Sequence, residues 1–176
     1  YVDGARLAYA LASPENDVTL TDLAELSDVF YIGGTKCGAL FGEAVVIPQK
    51  GRIPHFFTII KQHGALLAKG RLLGIQFDTL FTDGLYEKLG APAMAAADHI
   101  RAALRECGYT LCFDSPTNQV FCILDNDTMA RLAQKVDFGF WEKYDDTHTI
   151  VRFATSWATD MDDVKLLKDA LRDARQ

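Results

Sequence analysis

At 176 residues, about half of them hydrophobic, the chain carries enough apolar material for one sizeable core or two smaller ones. A formal charge of -6 and a pI near 5.1 leave no basic stripe to neutralise phosphates, which argues against nucleic acid as a partner. No apolar run approaches the roughly 20 residues that cross a bilayer, and no signal-peptide pattern opens the chain, so no membrane partner is expected and the reading is cytoplasmic.

Four cysteines, Cys37, Cys107, Cys112 and Cys122, contain no Cys-x-x-Cys pair. They read as reduced thiols in the core rather than as a disulfide framework or a metal site. The opening Tyr1-Val-Asp-Gly-Ala-Arg has no methionine and already looks like the end of a strand, so the chain reads as one missing its front half.

In chain order, Tyr1 to Asp3 reads as a strand end and Gly4 to Ala12 as a short helix with Ala5, Leu7, Ala8 and Leu11 inward. Ser13-Pro-Glu-Asn-Asp is a turn cluster, and Thr19 caps one or two helical turns. Strands follow at Asp28 to Ile32 and Glu43 to Pro48. Between them Lys36 stands in a small-residue loop, with Gly33 and Gly34 available for a sharp turn or a close approach and the Thr35 hydroxyl beside the amine. Two readings of Lys36 stay open. It is a loop lysine in water, or an amine desolvated by apolar walls and able to form a Schiff base with a carbonyl. A Walker phosphate loop is excluded, because that pattern needs glycine directly before the lysine and Thr35 stands there. Strand, helix, strand, loop, strand suits an α/β sheet with ligand chemistry at strand ends, where Asp3 and Lys36 both fall.

From Arg52 to about Cys107 the pattern is helical, with Phe56, Phe57, Ile59, Ile60, Leu66, Leu67, Leu72 and Leu73 spaced like the buried faces of successive helices. Lys61, Lys69 and Arg71 read either as a solvated face or as an anion site. Ala93 to Leu104 is a strong helix ending near Cys107-Gly108. Beyond it, Tyr109 to Phe113, Gln119 to Leu124, Phe138 to Tyr144 and Thr149 to Thr155 read as short strands. A helix over Asp127 to Val136 is capped by Asn126 or Asp127, and another over Asp160 to Ala174 points Val164, Leu167 and Leu171 inward. The sum is a small α+β layer of mostly antiparallel strands with helices on one face. Arg152 interrupts an apolar strand; it belongs on the wet face of the sheet or, if it points into a cleft, suits a carboxylate.

Asp3-Gly-Ala-Arg6 closing a strand, Gly33-Gly-Thr-Lys36, Gly42-Glu-Ala-Val-Val and Val151-Arg-Phe-Ala-Thr-Ser-Trp-Ala-Thr, in that order, resemble the low-specificity L-threonine aldolases. These are aminotransferase-like, fold-type-I pyridoxal phosphate enzymes. The resemblance runs through essentially the whole chain and implies the end of a large α/β domain over residues 1–90 with a small α+β C-terminal domain over 91–176. It implies that Lys36 holds pyridoxal 5'-phosphate as a Schiff base, that Asp3 faces the pyridine nitrogen, and that Thr35 and Arg6 lie at the cofactor. Arg152, with Arg6, would grip the substrate carboxylate. The implied reaction is retro-aldol cleavage of L-threonine and related β-hydroxy-α-amino acids to glycine and an aldehyde, without a metal. The same residues would serve a β-eliminating lyase or a phenylserine-type aldolase, and a non-enzymatic assembly module is the remaining alternative. His55, His63, His99 and His148 match no motif position of the family. Lys61 to Arg71 resembles a basic helix near a neighbouring subunit's cofactor, which implies a phosphate role for Lys69 or Arg71, and the family resemblance implies a homo-oligomer, a dimer of dimers. Cys37 stands where many relatives carry asparagine.

Overall fold

In the computed structural model, which describes residues 1–175, the first residues run parallel to strand β1 (Phe30–Gly33). Val2 N donates to Val29 O (3.0 Å), Tyr31 N to Val2 O (3.3 Å) and Gly33 N to Gly4 O (2.9 Å). Parallel neighbours need a crossover, and the chain supplies it with helices α1 (Leu7–Leu11) and α2 (Leu20–Leu26). Thr19 starts α2 as the sequence predicts, through a reciprocal box: Asp22 N donates to Thr19 Oγ1 (3.2 Å) and Thr19 N to the Asp22 carboxylate (2.7 Å). Strand β2 (Glu43–Val46) pairs antiparallel with β1, Phe30 opposite Val46 and Gly33 opposite Glu43. Leu7, Ala8, Phe30, Ile32, Cys37, Leu80 and Tyr86 form the core of this part.

The middle departs from its sequence pattern. Helices α3 (Phe56–Gln62) and α4 (Arg71–Phe81) form, but Phe57, Ile59, Leu66, Leu67 and Leu72 are exposed and Phe56, Ile60 and Leu73 are only half-buried. An apolar stripe is buried only where another element covers it, and nothing within residues 1–175 covers this one. Lys61 to Arg71 is mostly the connection between the two helices rather than a basic helix: Gly64 takes a φ of 66° and ends α3. Lys61, Lys69 and Arg71 are exposed, without ion-pair partners among the described residues.

A 3-10 turn (Thr82–Gly84) and helix α5 (Leu85–Lys88) lead into α6 (Gly90–Glu106), which terminates at Gly108 with a φ of 77° as predicted. The second sheet, in the order β3 (Thr110–Leu111), β4 (Gln119–Asp125), β6 (His148–Ala154), β5 (Gly139–Lys143), is antiparallel throughout. Alternation along β4 and β6 sends Val120, Cys122, Leu124, Val151 and Phe153 to one face. There they meet Ile100 and Leu104 of α6, Leu132 of α7 (Asn126–Leu132) and Val164, Leu167 and Leu171 of α8 (Met161–Ala174). The cap of α7 is Asp125 rather than Asn126 or Asp127. Asp125 Oδ1 accepts from Thr128 N (2.8 Å), while the Asn126 amide is engaged by Asp146 O and Thr149 Oγ1.

The two parts meet where α1 crosses α6. A Cβ on Gly90 would stand 2.3 Å from Ala8 O and 2.5 Å from the Ala12 Cβ, so this crossing depends on a glycine. Tyr9, Ala93 and Met94 form a small buried cluster at the crossing. Among the described residues, no helix is long and apolar enough to cross a membrane.

Candidate active site

Gly4 and Gly33 bring two chain segments together. A Cβ on Gly4 would meet Tyr31 O at 1.8 Å, and one on Gly33 would meet Ala5 O at 2.5 Å. Neither Gly33 nor Gly34 takes a positive φ, so their contribution is close approach rather than a sharp turn; the left-handed positions of the loop are Gly38 (108°) and Gly42 (88°). The consequence is that Asp3, Arg6 and Lys36 sit together past the ends of two parallel segments.

Asp3 is exposed, yet its carboxylate is fixed: Oδ1 accepts from Ala5 N (3.0 Å) and from the Tyr31 hydroxyl. The Tyr31 hydrogen bond first, then the Ala5 amide, and then the Lys36 and Arg6 charges hold its pKa below the usual carboxylate range. The same bond pushes the Tyr31 phenol up to about 12. Lys36 is exposed, and its Nζ has no hydrogen-bond partner among the described residues. What is held is its backbone. The hydroxyl of Tyr9, a buried residue of α1, donates to Lys36 O and accepts from Trp157 N (3.3 Å), tying the lysine loop to the loop after β6. Behind the lysine, Cys37 is buried, and burial pushes its thiol up to about 11.

A cavity of about 340 Å³ lies over this arrangement, lined by Arg6, Thr35, Lys36 and Tyr9 from the first part and by Asn118 and Ala154 to Trp157 from the second. Arg6 also lines a neighbouring cavity, together with Asp3. Among the described residues no histidine lines the lysine cavity.

Arg152 stands apart from this group. It lies on the sheet face opposite the helices, half-buried, opposite Phe121 and Gly139 in register, with Nη1 donating to Gln119 Oε1 (3.1 Å) and its guanidinium 5.6 Å from the Trp141 ring centroid. It lines a separate cavity of about 410 Å³, but Ala154 and Thr155 form walls of both. The structure thus gathers Asp3, Arg6, Thr35 and Lys36 and leaves Arg152 across a shared wall. The sequence pattern did not single out Tyr9, Tyr31 or Asn118. Tyr9 lies off the inward stripe of α1, because α6 covers a second side of that helix.

No protein-family model matches the chain. It is similar to a low-specificity L-threonine aldolase from a Pseudomonas strain, 29% identical over 179 residues covering 98% of this chain and 49% of that protein. The solved structure of Leishmania major threonine aldolase superposes with a TM-score of 0.92 at 46% identity, covering 97% of this chain and 50% of that one. Sphingomonas wittichii serine palmitoyltransferase, at 13% identity, 98% coverage of this chain and 46% of that one, shares the fold with a TM-score of 0.68. The chain spans about half the length of the curated relatives it matches. Its fold is the aminotransferase-like fold type I of pyridoxal phosphate enzymes, and the chain resembles the low-specificity L-threonine aldolases.

Proposed function

We propose that these residues belong to a pyridoxal phosphate-dependent aldolase that cleaves L-threonine and related β-hydroxy-α-amino acids to glycine and an aldehyde. The observation that carries this reading is the meeting of Asp3, Arg6 and Lys36 past the ends of two parallel segments, in a chain 46% identical to a threonine aldolase. The residues present fit the cofactor: an unpartnered Lys36 side chain, a carboxylate on Asp3 kept ionised by two donors, and Thr35 at the cavity wall.

When bound, pyridoxal phosphate supplies a conjugated ring that takes up the electron pair left on the substrate Cα as Cα–Cβ breaks. Asp3 holds a proton on the ring nitrogen, a role that needs a carboxylate ionised at neutral pH. Lys36 Nζ anchors the cofactor and, once free, delivers a proton to Cα; its exposure and lack of a partner leave it mobile for both tasks. Thr35, at the wall of the same cavity, would help to hold the cofactor through its hydroxyl. Arg6 and Arg152 bind the substrate carboxylate and so choose which bond to Cα breaks. For Arg152 this requires releasing Gln119 and reaching past the Ala154–Thr155 wall.

The division into residues 1–90 and 91–176 is supported by two separate buried clusters. A homo-oligomer, a dimer of dimers, is supported by the apolar face of α3 and α4, where Phe57, Leu72 and Ile75 are exposed, and by exposed Leu67 in the connection between them; a cytoplasmic location suits four free thiols. The test of the activity is glycine release from L-threonine by the cofactor-loaded protein, beside Lys36→Ala. The aldolase reading expects equal amounts of glycine and acetaldehyde from the unmutated protein and none from the variant. Ammonia and a keto acid instead would replace it with a β-eliminating lyase.

A further inference from the structure

Asn118 is 2% exposed and immediately precedes β4, at the wall of the lysine cavity. Its Nδ2 donates to Thr155 O (2.6 Å), which fixes the orientation of the amide, since a carbonyl can only accept. The other end of the amide, Oδ1, is buried and has no hydrogen-bond partner among the described residues. An orphaned buried acceptor is costly, so a donor is due there when the site is complete. The substrate carboxylate cannot be that donor, because it only accepts. Arg6 can. It lines the same cavity, it is half-buried, and its guanidinium has five N–H donors but no hydrogen-bond or ion-pair partner among the described residues. Each group lacks what the other offers.

We propose that Asn118 is a positioning residue for Arg6: Oδ1 accepts one N–H of the guanidinium and turns the remaining fork toward the substrate carboxylate. This rests on the reading of Arg6 as a carboxylate contact. The chemistry explains the choice of an amide. A neutral acceptor orients Arg6 while leaving its charge for the substrate, whereas a carboxylate at the same place would neutralise the arginine and repel the ligand.

The test is binding of L-threonine and of L-threoninamide, which lacks the carboxylate, to the cofactor-loaded protein, read from the change in cofactor absorbance. The proteins are the unmutated one, Asn118→Ala, Arg6→Ala and the double variant. Loss of one hydrogen bond to a charged group predicts about tenfold weaker L-threonine binding in Asn118→Ala, with threoninamide changed less than about twofold. In the Arg6→Ala background Asn118→Ala should have no further effect, because coupled residues are not additive. Should Asn118→Ala fail to fold, Asn118→Asp keeps the shape and should weaken L-threonine further still while sparing threoninamide. Equal weakening of both ligands, or effects that multiply in the double variant, would overturn the pairing. If Arg6→Ala leaves L-threonine binding unchanged, the carboxylate role of Arg6 falls and the pairing with it. If Arg6→Ala weakens binding and Asn118→Ala does not, only the pairing falls.

Discussion

Replacing Tyr9 by Phe removes one oxygen atom and keeps the ring, so it isolates what the hydroxyl does. Tyr9 is 1% exposed and packs with Ala93 and Met94, a contact the phenylalanine ring retains. Two hydrogen bonds are lost, the one donated to Lys36 O and the one accepted from Trp157 N. Both partners sit on exposed residues and can recruit water, so the loss is two net hydrogen bonds rather than two buried orphans, about 1–2 kcal/mol together. For a chain of this size that lowers the melting temperature by about 3–6 °C. Urea unfolding followed by tryptophan fluorescence measures the stability, with an unchanged slope expected because the surface exposed on unfolding is the same. The lysine loop should also loosen: amide hydrogen exchange at Cys37 and Ala39 should quicken, while exchange in α8 stays as it was. A stability change below about 0.3 kcal/mol, or faster exchange spread evenly over both parts, would refute the idea that this hydroxyl ties the two loops together.

The crossing of α1 and α6 gives a second expectation. Gly90→Ala places a methyl 2.3 Å from Ala8 O, which backbone cannot easily yield, and should destabilise by about 1–3 kcal/mol; a thermal melt checks it. In the second core, Leu171 is fully buried, so Leu171→Ala should cost about 2–5 kcal/mol in denaturant unfolding, whereas exposed Leu166→Ala should cost less than about 0.5 kcal/mol. Alkaline pH should destabilise the protein. Cys37 is pushed up to about 11 from 9.0, so between those values the unfolded chain has lost a proton that the folded chain keeps. Stability from this group is full below about pH 9 and lost by about pH 11, and Cys37→Ser should flatten that part of a stability-versus-pH curve.

Most element positions were legible because their signals are local. Thr19 with Asp22, Gly108 after α6, and the Val164, Leu167, Leu171 spacing of α8 each carry a complete instruction within a few residues. The helix pair α3 and α4 was legible as helix but not as surface, since periodicity reports an apolar stripe and not what covers it. For the site, Asp3 and Lys36 were readable as polar residues where apolar runs end, and Arg6 only through the resemblance of its motif. Their supports were not. Tyr31 reaches Asp3 through the parallel pairing of two segments, Tyr9 reaches Trp157 across the whole chain, and Asn118 acquires its orphaned acceptor only when β4 meets β6. Such contacts depend on tertiary placement, which spacing along a sequence does not encode. The same limit applies to Arg152, whose strand was evident but whose present partners, Gln119 and Trp141, were not.

The central claim is that Lys36 carries the cofactor. Borohydride reduction of the pyridoxal phosphate-loaded protein, followed by peptide mass mapping, tests it most directly, because reduction makes the lysine attachment permanent. The account predicts a pyridoxyl mass on the peptide containing Lys36 and its disappearance in Lys36→Ala. Label on a different lysine, or no label in a protein that remains folded and exposed to cofactor, would contradict it.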